Sequence, residues 1–154
     1  AYASDYHERI VQNMALLLGN LLAMLDYVCY VSNRPLVSPG YPSYHNADNM
    51  VVQGEPELVN LTGSMDAVAN PVLLVEVLSE STRNYDLGEK FASYRKIPSL
   101  RQVIFIDSVR RAVTVQTKTE DGRWLLADYE NANDQISILD EGTVSLARIY
   151  RKVF

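Results

Sequence analysis

The chain has 154 residues, 47% of them hydrophobic, and a formal net charge of -5. That length builds one domain with a real core and leaves little for a second, and the single cysteine, Cys29, excludes an internal disulfide framework and a multi-cysteine zinc centre. The acidic balance counts against broad electrostatic attraction to nucleic acid, although a locally basic groove survives inside such a total.

A long helix is predicted over residues 6–25, with Ser4 or Asp5 as N-cap and Ile10, Met14, Leu17, Leu18, Leu21, Leu22 and Leu25 at helical spacing. Residues 27–31 read as a strand, and the proline-rich NRPLVSPGYPSYHN as loop or edge strand, because proline gives a ladder no donor. The next strand covers 47–52, and the polar, irregular stretch 53–70 reads as a loop. Residues 72–78 read as a strand buried on both faces, and 86–96 as a helix that stops before Pro98. Strands follow at 101–106, 111–117 and 123–129, the last two joined by a turn at Glu120 to Gly122. A weak strand at 135–139 and a short helix at 145–150 end the chain. No run approaches the roughly 18 apolar residues of a membrane span, and the first residues lack a secretory pattern. A soluble, cytoplasmic protein is the expectation.

The order strand, helix, strand over 72–106 demands a crossover, which makes those strands parallel and the fold α/β with a mixed sheet. Inside the apolar strand stands a carboxylate, Glu76. Unpaired and ionised there, it would cost on the order of several kcal/mol. By alternation Val72, Leu74, Glu76 and Leu78 share one face, as do Asp48, Met50 and Val52 on the earlier strand. If the two strands are neighbours, the two acids repel unless a cation lies between them, and hard oxygen ligands suit Mg²⁺ or Mn²⁺. Lys90, early in the following helix, can place an ammonium beside them to orient a water or face developing phosphate charge. Those parts make a phosphodiester-cleaving centre.

The residues NADNMVV and NPVLLVEVLSESTRNYDLGEKFASYRKIPSLRQVIFID resemble the Uma-type restriction-endonuclease family, abundant in cyanobacteria and placed in the PD-(D/E)XK nuclease superfamily. The ordered series is Asp48, then Glu76 and Ser79, then Asp86, Lys90 and Tyr94, then a hydrophobic strand ending in Asp107; YHERIVQNMALLLGNLL resembles the family's first helix, with its histidine at His7. The resemblance implies a restriction-endonuclease-like mixed central sheet flanked by helices, a single domain over 1–154, and a DNA substrate. It implies Mg²⁺ or Mn²⁺ held by Asp48, Glu76 and the backbone carbonyl of Val77, with Lys90 assisting the attacking water and His7 or Glu8 completing the shell. This sequence departs from the pattern at Ala47, where the family has proline, at Asn33, where it has aspartate, and at Leu78, where the superfamily has its lysine. Family residues that precede the histidine are also absent, which implies a trimmed or reduced form.

Bland readings stand beside these. Asp86, Lys90 and Tyr94, at i, i+4 and i+8, also suit a surface ion pair with an amphipathic tyrosine. Glu8 suits a solvent-facing first-turn acid, His45 an exposed loop residue, and Cys29 a small buried apolar one. Ser79, Ser81 and Thr82 read as loop-capping hydroxyls. The alternative function is a catalytically inactive binding or assembly module in which Glu76 and Lys90 pair structurally, and a weaker third is a small-molecule pocket in an unrelated α/β fold. Holding DNA would need a basic surface from Arg34, Arg83, Lys90, Arg95 and Lys96, and cutting both strands invites a homodimer.

Overall fold

The computed structural model describes residues 4–31 and 34–154; Asn33 lies outside the described residues. Helix α1 (Asp5–Leu22) opens where Ser4 accepts a hydrogen bond from the His7 amide, and buries Ile10, Val11, Met14, Leu18 and Leu22 along one stripe. The strands follow as β1 (Tyr27–Val31), β2 (Pro35–Leu36), β3 (His45–Asn46), β4 (Asn49–Gln53), β5 (Leu58–Thr62), β6 (Met65–Val68) and β7 (Pro71–Leu78). A crossover helix runs without a break through α2 (Arg83–Tyr85), a π-helical turn (Asp86–Lys90) and α3 (Phe91–Tyr94). Then come β8 (Gln102–Asp107), β9 (Val113–Lys118), β10 (Trp124–Tyr129), β11 (Gln135–Ile138), β12 (Gly142–Ser145) and α4 (Leu146–Ile149).

The central sheet has the order β1-β4-β7-β8-β9-β10. Only β7 and β8 run parallel, which the intervening crossover requires, and every other neighbouring pair is antiparallel. The fold is therefore α/β, a mixed central sheet with helices on both faces. On one face α1 and α4 pack over Val51, Leu73, Val75, Val77, Ile104 and Ile106. On the other, Phe91 and Tyr94 of the crossover helix, with Ile97 and Leu100, cover Met50, Val52, Leu74, Leu78, Val103 and Phe105. Strands β7 and β8 are buried along their whole length, as sandwiching by helices dictates. The predicted alternation holds for Leu74 and Leu78, but Val72 packs with the opposite cluster, next to a register shift between Val51 and Val52.

Residues 53–70 are not the predicted loop. They hold the hairpin β5–β6, turning at Gly63 with φ +56°, and join β2 and β3 in a second sheet of order β3-β2-β6-β5. Strand β5 is exposed on both faces apart from Leu61, so it carries no apolar alternation to reveal it. Strand β12, which pairs with β11, also went unpredicted. Among the described residues no helix is long and apolar enough to cross a membrane.

Candidate active site

Glu76 is 2% exposed and sits in the middle of the sheet. Its Oε1 is 3.0 Å from Nζ of Lys90 and accepts a hydrogen bond from the Tyr94 hydroxyl. The charge in the apolar strand is thus met first by the chain itself. The helical spacing of Lys90 and Tyr94 stacks both over one face, and the crossover lays that face on β7. Burial pushes the Glu76 carboxyl up to about 8, with Lys90 pulling it back and the nearby Asp48 carboxylate adding to the rise. Burial pulls Lys90 down, but Glu76 and Asp86 together outweigh it and leave the ammonium above the ordinary lysine value. The two shifts agree, since Lys90 titrates only where Glu76 is already ionised. The direction that stands is a protonated Lys90 beside a carboxyl whose ionisation burial makes costly. Burial holds Tyr94 far above the ordinary phenol value, which keeps it a neutral donor.

Asp48 lies in the bend before β4, with its amide donating to the Val75 carbonyl at 3.0 Å. Asn49 stands opposite Val75 in the β4–β7 register, so one further step sets Asp48 beside Glu76. Its Oδ2 accepts from the Val77 amide at 2.7 Å, and its Oδ1 lies 3.3 Å from Nε2 of His7. That contact raises His7 above an ordinary histidine against the opposing effect of burial, and among the described residues its buried Nδ1 has no partner. Asp86 is 5% exposed in the π-helical turn, its Oδ1 3.8 Å from Lys90, and burial raises its carboxyl.

A cavity of about 340 Å³ collects these groups, lined by Ser4, His7, Asp48, Glu76, Val77, Ser79, Ser81, Thr82, Asp86 and Lys90. Asp48, Glu76, Val77, Lys90 and His7 are thus brought together, whereas Glu8 is exposed and does not line it. Among the described residues no three His, Cys, Asp or Glu side chains form a closed metal-ligating group. The donor set instead suits a hard divalent ion that takes one or two carboxylates and keeps most of its waters, as Mg²⁺ does. It does not suit a zinc-type cage.

Asp86 and Tyr94 were read both as part of the family series and as a surface stripe with Lys90, and the surface reading is incorrect, since Asp86 and Tyr94 are buried and the Lys90 side chain is 13% exposed. His45 is not an exposed loop residue. It is 5% exposed, stacked on Tyr41 at 4.0 Å and bonded to Ser93 Oγ at 2.9 Å, and burial lowers it to about 4. Cys29, on the edge strand β1, is exposed rather than buried. Of the five basic residues, Lys90 faces Glu76, Arg83 bonds Asp107, Arg34 lies over the Tyr30 ring, and Arg95 and Lys96 are exposed.

Comparison with known proteins adds four likenesses. A family model, Uma2, described as "Putative restriction endonuclease", matches residues 2–147. The uncharacterized Synechocystis protein sll1609 is 35% identical over 136 residues, 88% of this chain and 76% of that protein; slr1290 of the same organism is 35% identical over 89 residues, 57% and 46% respectively. The chain therefore spans less than half of slr1290. A crystal structure from Anabaena variabilis, described as a putative nuclease belonging to DUF820, superposes with a TM-score of 0.78 at 9% identity, covering 100% of this chain and 85% of the other. At that identity the likeness speaks for the fold.

Proposed function

Because the chain belongs to the Uma2 family of restriction-endonuclease-like proteins, we propose that it is a metal-dependent endonuclease that hydrolyses phosphodiester bonds of DNA. The observation that carries this reading is the meeting of Asp48, Glu76 and Lys90 on one cavity, drawn from the bend before β4, from β7 and from the crossover helix. Asp48 and Glu76 are the residues to hold Mg²⁺ or Mn²⁺, with Val77 as a backbone ligand. Such an ion, when bound, offsets phosphate charge and makes its water more acidic. Lys90, fixed by Glu76 and by the Asn46 carbonyl at 3.1 Å, orients the attacking water and faces charge growing on the phosphoryl oxygens. His7 serves as an accessory donor from the first turn of α1, and Asp48 sets its orientation. The water oxygen forms the new bond to phosphorus while the bond to the leaving sugar oxygen breaks, and no covalent enzyme intermediate is needed. One domain over 1–154, a cytoplasmic setting and a homodimer that presents two sites to two strands complete the reading.

One observation favours a second reading. The Glu76–Lys90–Tyr94 contacts satisfy the buried carboxylate without any ion, as an inactive binding or assembly module would require. Supercoiled plasmid incubated with Mg²⁺ or Mn²⁺ separates the two: the nuclease nicks it and Glu76→Ala does not. Absence of metal-dependent nicking by the unaltered protein leaves the module.

A further inference from the structure

Beside this cavity lies a second cleft of about 220 Å³, lined by Ser79, Glu80, Arg83, Asp107, Val109 and Arg110. Ser79 lines both, so the two are contiguous. In the parallel register Glu76 stands opposite Phe105 and Leu78 opposite Asp107. Asp107 is thus one strand across and two residues further on than Glu76, a step of roughly 7 Å along the strand, on the same face by alternation.

Asp107 is 7% exposed and its carboxylate is fully engaged. Oδ1 accepts from the amides of Val109 at 2.8 Å and Arg110 at 3.3 Å; Oδ2 accepts from Nη1 of Arg83 and lies 3.8 Å from Nε of Arg110. One arginine already satisfies that oxygen, so the second is surplus to the needs of the fold. The Arg83 and Arg110 side chains are 37% and 67% exposed and keep most of their five N–H donors for solvent. With Glu80 at the rim the cleft is neutral in sum, whereas the adjoining cavity sets three carboxylates against one lysine. A polyanion laid across the candidate site therefore meets repulsion in the cavity and forked donors next to it.

We infer that this cleft seats a backbone phosphate one or two nucleotides from the one that is cut, with Arg110 and Arg83 as its donors and Asp107 as the residue that holds them in place. The inference rests on the nuclease reading of the neighbouring cavity. Each strand of a duplex advances roughly 3.4 Å per phosphate, which brings such a neighbour within the span of the two sites. Guanidinium forks match phosphate oxygens in pairs, a geometry lysine lacks.

The test is binding of a labelled DNA duplex to the full chain in Ca²⁺ across a salt series, read beside plasmid nicking in Mg²⁺. Arg110→Ala is expected to weaken binding about tenfold and to reduce the salt slope by about 1. Glu80→Gln, also at an exposed position, is expected to tighten binding, an outcome misfolding cannot mimic. Arg123→Ala is the control, since Arg123 is exposed beyond the β9–β10 turn, at the far end of the sheet. If the unaltered protein binds DNA and Arg110→Ala matches it, or loses no more than Arg123→Ala, the phosphate seat is overturned and the nuclease reading stands. If the unaltered protein neither binds nor nicks DNA, both fall.

Discussion

The two faces of the central sheet are covered by helices and built from the same strands, yet they differ in what they bury. On the α1 and α4 side the buried contacts are mostly apolar; the exceptions are Asn49, whose amide donates to the Val11 carbonyl at 3.3 Å, and Gln102, which donates to the Ser137 carbonyl and accepts from the Leu139 amide. Beneath the crossover helix the apolar cluster is interrupted by Glu76, Asp86, His45 and Ser38, tied to Lys90, Tyr94 and Ser93. A packed face tolerates loss of a polar group better than loss of volume, and a partnered polar face the reverse. Both faces carry packed cores, and the candidate chemistry sits on the second.

The largest effects should separate the faces. Ile104→Ala, which opens a void on the α1 side, is expected to cost about 2–5 kcal/mol in denaturant unfolding while leaving nicking per folded molecule intact. Glu76→Ala should lower nicking per folded molecule by on the order of 10²–10³, and it also destabilises the fold, because Lys90 and Tyr94 lose their shared buried partner. A variant of Ile104 that loses activity at full folding would erase the distinction.

Tyr94→Phe sharpens it. The ring still fills the core, but the Glu76 oxygen loses its hydroxyl donor, at a cost of about 1–3 kcal/mol in the metal-free protein. Calorimetric titration with Mn²⁺ should also show weaker binding, since the carboxylate is no longer oriented. Unchanged stability and unchanged Mn²⁺ affinity would make that contact idle.

Two pH dependences of smaller size belong to the same face. Glu76 is raised on folding to about 8, so its contribution is complete below the ordinary carboxylate range and is lost as pH rises through 8. His7, raised by Asp48, acts in the same sense. The melting temperature of metal-free protein should fall from about pH 4.5 to about 8 and level off above it, and Glu76→Gln should flatten that fall. His45, lowered to about 4, works from the acid side: its contribution is present above 6.5 and lost as pH falls through 4. Acid melting curves of His45→Phe should lose part of that decline, a few degrees at about 2–4 °C per kcal/mol for a chain of this size. A decline identical to that of the unaltered protein would place the acid sensitivity elsewhere.

Much of this molecule was written locally. Alternation assigned Leu74, Glu76 and Leu78 to one face, the strand-helix-strand order forced β7 and β8 parallel, and Ser4 capped α1 as its position promised. A buried carboxylate in an apolar strand announced that a partner had to exist. The π-helical turn, the β5–β6 hairpin, the burial of His45 and the exposure of Cys29 were not legible, because each depends on which surface another element covers. The amino-acid order by itself determined the periods, the caps and the need for compensation, which are set by neighbours within a turn or two of chain. Only the tertiary structure decided that Lys90 and Tyr94 supply it, with Asp48 and His7 alongside, because residues far apart in sequence meet only through packing.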